Sequence, residues 1–210
     1  MRLRDFVRLY GVPFSEMLGI DLKSGRTGEI TKWFLAAILY SKPIRESAAT
    51  LTYQSFELDG AISASKILDE GWEGLVSLLD EGGYTRYDFS TATKLMQVFG
   101  TLQKQYQGDL NRLHAISSDS KDLERRIMAL GKGIGPVTVS IFLRELRGVW
   151  PKADPEPTPL VLLSMKRLRI TDIPELAARH HLDPVRLETA LLRLGRDFIR
   201  KNKEVPRIKV

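Results

Sequence analysis

Apolar positions along the chain recur at intervals of three and four, the spacing of one helix face, and not at two. Ile30, Trp33, Phe34, Ala37 and Ile38 form one stripe, Leu123, Ile127 and Leu130 a second, and Leu187, Ala190, Leu191, Leu194 and Phe198 a third. Cap signals stand at several boundaries. Thr27 is placed to cap a helix from about Gly28, and Asp183-Pro184 reads as an N-cap followed by a first-turn proline. "SDSK", Ser118 to Lys121, is a helix start. No run alternates as a strand would, and no Asn-Gly hairpin occurs. The pattern predicts an all-α chain of about ten short helices. Helix is interrupted most strongly at Val149–Pro159, "VWPKADPEPTP", where four prolines in eleven residues forbid continuation. That stretch is either a linker between lobes or a rigid loop that places a side chain.

The composition, 43% hydrophobic and 28% charged over 210 residues, is that of a folded globular chain. The longest apolar run, Trp33 to Tyr40, is too short to span a bilayer, and no apolar signal core follows Arg2 and Arg4. The chain has no cysteine, which excludes disulfides, thiolate zinc sites and iron–sulfur clusters. The expected location is intracellular: cytoplasmic, nucleoid-associated or another internal compartment. A net charge of +6 suits a polyanionic partner. The last fifteen residues, "RDFIRKNKEVPRIKV", carry six Lys/Arg against two acids. They are either a phosphate-binding patch or a solvated, fraying end.

"ALGKGIGPVTVSIFL", Ala129 to Leu143, sets Gly131, Gly133 and Gly135 within five residues, with Lys132 between the first two. A nucleotide phosphate loop needs Gly-x-x-x-x-Gly-Lys-Ser/Thr, which is absent. A dinucleotide fingerprint needs a preceding strand and a third glycine where Thr138 stands. The stretch fits a helix, a tight glycine hairpin and a second helix begun by Pro136. Amides near Val137 and Thr138 would then face an anion with the helix dipole behind them. A plain corner between two helices needs one glycine, not three with a lysine.

The stretch resembles the hairpin of the helix-hairpin-helix DNA glycosylases, the superfamily of endonuclease III, with Gly133, Ile134, Gly135 and Thr138 in register. Three further stretches are similar to that family: "LTYQSFELDG", in which Gln54 matches a glutamine that enters DNA; "GGYTRYDFSTATKL"; and "LETALLRLGRDFIRKN". The resemblance spans about Lys42 to Lys203 and implies a two-lobed, all-α glycosylase fold with a groove between lobes. Residues 30–150 would form a central lobe with the hairpin at about 120–146, and 1–29 would join 151–210 in the second. It implies a monomeric enzyme on double-stranded DNA that excises a damaged or mispaired base flipped from the duplex. Gly131, Lys132 and Lys152 would join the hairpin in holding phosphate, with room for a monovalent cation on the loop carbonyls.

Two positions carry the implied chemistry. Bifunctional members have a lysine two residues after the last hairpin glycine; here Val137 stands there and offers no amine. The implied enzyme is monofunctional, using water and no cofactor. The second position is a carboxylate about twenty residues past the hairpin. Asp154 is the first candidate and Glu156 the second, although "ADPEPTPLVLL" departs from the family pattern; a helix begun at Pro159 would take Thr158 as its cap. Tyr84, Tyr87 and Trp150 are candidates for the pocket, or core residues. His180-His181 do not share a helix face and have no third ligand at suitable spacing, so no metal site is expected. The same fold without base release, as a sensor of distorted DNA, and a helical protein-interaction domain are the competing expectations.

Overall fold

The computed structural model describes residues 1–209 and is all-helical, with 66% of residues in helix. Thirteen α-helices occur among them: α1 Leu3–Tyr10, α2 Phe14–Met17, α3 Thr27–Tyr40, α4 Glu46–Asp59, α5 Ala64–Asp69, α6 Gly71–Glu81, α7 Asp88–Tyr106, α8 Leu110–Ile116, α9 Ser120–Met128, α10 Pro136–Arg144, α11 Pro159–Leu168, α12 Ile173–His180 and α13 Pro184–Leu194. The chain divides into two compact units, one from residues 20–155 and one from 1–19 with 156–210. The sequence places these boundaries at 29/30 and 150/151. The count exceeds the ten expected because short helices such as α2 and α5 carry too few turns to show a period.

Unit 20–155 is organised on α3. Its Ile30, Trp33, Phe34, Ala37 and Ile38 are fully buried, and so are Leu35, Ala36 and Leu39 on its other faces. A helix apolar all round must be covered all round; α4 packs on one side and α10 on another. The Trp33 indole N–H donates to the Phe142 carbonyl at 2.9 Å, and the Phe34 and Phe142 rings stand 4.9 Å apart. Thr27 does not cap this helix. It is the first helical residue, and its hydroxyl donates to Asp109 at 3.0 Å. At α9, Asp119 is the N-cap and accepts the Asp122 amide, while Asp122 accepts the Ser118 amide in return. Between them these bonds satisfy one orphan amide of the first turn and the amide of the residue before the cap.

In unit 1–19/156–210, α13 is central, with Leu187, Ala190, Leu191 and Leu194 buried. Asp183 caps it by accepting the Val185 and Arg186 amides, with Pro184 in the first turn. Two glycines permit close crossings. A Cβ at Gly11 would lie 2.5 Å from the Arg186 carbonyl, and one at Gly195 would lie 2.2 Å from that of Leu160. Arg193 donates to the carbonyls of Tyr10 and Val12 at 2.6 and 2.7 Å and lies over the Phe14 ring. The basic C-terminal segment is tied down: the Met1 ammonium donates to Arg207, and the Lys209 amide donates back to Met1.

Candidate nucleic-acid interface

The hairpin is α9, the loop Ala129–Gly135, and α10. Gly133 adopts φ of +88°, a left-handed conformation that glycine enters without strain. Gly135 is the extended N-cap of α10, and Pro136 occupies its first turn. Gly135 has no side chain to spend on the first-turn amides, which leaves them to an incoming acceptor. The loop closes on itself through the Ile134 amide to the Gly131 carbonyl and the Val139 amide to the Gly135 carbonyl. Those two carbonyls are therefore already engaged by amides, which leaves less of the loop for a cation. Ile134 and Thr138 are buried; Lys132 and Gly133 are exposed, and Val137 is 47% exposed.

The floor of the hairpin is α7, whose part is not visible in the hairpin motif itself. Lys94, Gln97 and Val98 stand on one face of it at i, i+3 and i+4. Val98 abuts Gly131, where a Cβ would lie 2.6 Å from its Cγ2. The Gln97 side-chain oxygen accepts the Lys132 amide at 3.1 Å. Lys94 runs beneath Gly133: a Cβ there would lie 2.8 Å from Cε and 3.2 Å from Nζ. Lys94 is only 7% exposed. Burial, with the neighbouring Lys42 ammonium, pushes its amine down to about 8. Lys42 also lies over the Tyr87 ring at 5.3 Å, as Arg86 does at 5.6 Å. The i, i+3, i+4 spacing of Lys94, Gln97 and Val98 is legible in "KLMQV", but only once the helix they sit on is known to support the hairpin.

Of the other candidates, Trp150 and Lys152 meet at His114. Gln54 is exposed in the middle of α4, on the outer face it shares with Leu51 and Leu58. Tyr84 is buried and donates to the Leu39 carbonyl at 2.6 Å, with burial holding its hydroxyl well above the ordinary tyrosine range. Trp150 is buried, stacked on His114 at 4.7 Å, with its N–H on Asn111. Lys152 is committed to the carbonyls of His114 and Ala115 at the C-terminal end of α8. Burial, and secondly the Lys152 charge, hold His114 below its ordinary range.

The stretch before α11 is irregular, and that helix does begin at Pro159 with Thr158 as N-cap. The Thr158 hydroxyl is buried without a hydrogen-bond partner. Asp154 and Glu156 therefore precede the helix and both are exposed. The Asp154 carboxylate is 83% exposed, 3.7 Å from the Arg147 guanidinium, which also donates to the Pro155 carbonyl.

Charge is divided unevenly. Residues 20–155 hold 17 Lys/Arg and 17 Asp/Glu, so the whole excess of +6 resides in the other unit. Among the described residues no cluster of His, Asp and Glu is arranged to hold a metal ion, and no helix is long and apolar enough to cross a membrane. Comparison with family models, with curated proteins and with solved structures finds no match to this chain.

Proposed function

We propose that the chain is a monofunctional DNA glycosylase of the helix-hairpin-helix type. The observation that carries this reading is the hairpin: a left-handed Gly133, an open first turn at α10, and Lys132 exposed beside it. These present amides and positive charge to a phosphate of the DNA backbone, a contact that positions the protein without reading sequence. A second support is the division of the chain. The hairpin lies in a continuous unit, and both chain ends build the other, basic one. This accords with the two-lobed glycosylase fold. The cluster-free C-terminal segment supplies charge that would bind DNA in a salt-dependent way.

In this reading Gln54 occupies the gap left by a flipped base. The N-glycosidic bond breaks as positive charge builds on the sugar, and water adds at C1′. Asp154 is the acid assigned to stabilise that charge, with Glu156 second. Fixed electrostatic groups of this kind contribute about 3–4 kcal/mol in other enzymes. Val137 excludes a lysine nucleophile at its own position. Duplexes carrying uracil, mismatched thymine, alkylpurines, oxoguanine or hypoxanthine, followed by alkali, test the reading. Strand breaks on one of them are expected, with loss of at least tenfold in Asp154→Asn or Glu156→Gln. No abasic product on any duplex refutes excision.

The exposure of Asp154 favours a second reading, a non-cutting module that binds distorted DNA. A carboxylate in water is screened and stabilises a cation far less than one in a dry site. This reading expects salt-dependent duplex binding that survives loss of both acids.

A further inference from the structure

We propose that Lys94 and Lys42, together with the Gly133 turn and the open end of α10, form a two-amine seat for a phosphate group. Lys94 is more than nine-tenths buried and extends toward the hairpin turn, its Nζ 3.2 Å from the place a Cβ of residue 133 would take. Buried charges in folded proteins are paired. Its neighbour here is another amine, Lys42, to which it is hydrogen-bonded, and no carboxylate is among the groups that act on Lys94. Asp88, at the start of the same helix, spends its carboxylate on the Phe89 amide. Lys132 in the loop and Arg86 beside Tyr87 add further positive charge at the exposed rim. What is missing is an anion, and a tetrahedral phosphate takes ammonium donors from one side and helix-end amides from another.

The lowered Lys94 amine gives the seat a signature. Binding of an anion restores its charge partner, so the amine takes up a proton as the ligand arrives. Of the groups on the surrounding elements, Lys42 is the one that perturbs Lys94. As a contact to a DNA phosphodiester the seat rests on the function proposed above; as a seat for free phosphate it does not.

The test uses the full chain and its Lys42→Met, Lys94→Met and Lys132→Met variants, each checked for an unchanged circular dichroism spectrum. Inorganic phosphate and sulfate are titrated against acetate at equal ionic strength, and undamaged duplex DNA in parallel. The expected result is binding of phosphate and sulfate over acetate, weakened at least tenfold by Lys94→Met and by Lys42→Met, and less by Lys132→Met. Sulfate, which does not titrate in this range, binds about tenfold more weakly at pH 9 than at pH 7, because Lys94 has lost its proton. Duplex binding weakened by the same two variants identifies the phosphodiester as the source. Phosphate binding without duplex binding identifies free phosphate, and overturns the DNA reading while upholding the seat. Equal affinity for phosphate and acetate, or no loss in Lys42→Met, overturns the seat. Lys42 is less buried than Lys94, so its variant carries the test if Lys94→Met does not fold.

Discussion

Replacing Gly133 by alanine separates two costs that the structure places on one atom. At φ of +88° an L-residue is strained by about 1–2 kcal/mol. The added Cβ also lies 2.8 Å from Lys94 Cε, well inside the contact distance of about 3.5–4.0 Å between carbons. The end of a lysine side chain is able to shift, so this second term is near the low end of overpacking costs, about 1 kcal/mol. The sum is about 2–3 kcal/mol, or a fall in Tm of roughly 4–12 °C for a chain of this size. In a Lys94→Ala background the crowding is gone and the cost of Gly133→Ala returns to about 1–2 kcal/mol. Gly135→Ala is the control: Gly135 has φ of −110° and nothing within 4 Å of its added Cβ, so its only cost is alanine in place of glycine at the N-cap, under about 1 kcal/mol. Urea and thermal melts followed by circular dichroism measure wild type and the four variants: Gly133→Ala, Lys94→Ala, their combination and Gly135→Ala. A Gly133→Ala chain as stable as Gly135→Ala would refute the left-handed turn. An equal cost in both backgrounds would refute the placement of Lys94 beneath it.

Stability depends on pH through the same lysine. Its folded value is lowered to about 8 from an ordinary 10.5, so above pH 8 the unfolded chain binds more protons, and stability rises with pH. Melts at pH 7.5 and 9.5 show this gain in wild type and not in Lys94→Met; the window closes near pH 10, where Tyr84 and Tyr53, a fully buried residue of α4, keep protons that burial prevents them from releasing and that the unfolded chain gives up, reversing the slope. Val137→Lys returns an amine to the hairpin at a half-exposed position, so it folds normally, and borohydride with abasic duplex traps a covalent adduct that wild type does not give; absence of the adduct counts against the glycosylase reading. Arg193→Met loses two charged hydrogen bonds to backbone carbonyls and a cation on Phe14, with an expected loss of about 2–4 kcal/mol in the unit built from the chain ends, read by urea melts. Asp154→Asn leaves stability within about 0.5 kcal/mol of wild type, since its carboxylate is mostly in water.

Helical class was legible because periodicity and caps agree, and Asp183-Pro184 and Pro159 start helices as their chemistry dictates. Thr27 does not cap α3 for a physical reason: its hydroxyl has a better partner in Asp109, distant in sequence. The hairpin was legible because left-handed turns and first-turn prolines leave glycine and proline behind. Its floor was not. Lys94 resembles any helix lysine until α7 is docked under Gly133, and its burial is a tertiary fact. Lys152 shows the converse, a surface-looking lysine whose amine is consumed by a helix end. Asp154 stands out by its spacing alone, and spacing carries no information about how much water surrounds a carboxylate.

The unit made from residues 1–19 and 156–210 has an implication for biosynthesis. A ribosome releases the segment 20–155 whole, and a continuous stretch of that length is free to collapse as it emerges. The first nineteen residues have no such option: α1 must wait for α13, which is made more than 170 residues later. Until then Leu3, Phe6 and Val7, buried in the finished protein, are exposed on a nascent chain. Closure over so long a separation is slow. Pausing translation before residue 184 would therefore leave α1 without its packing partner α13, and more open to protease than in the finished protein.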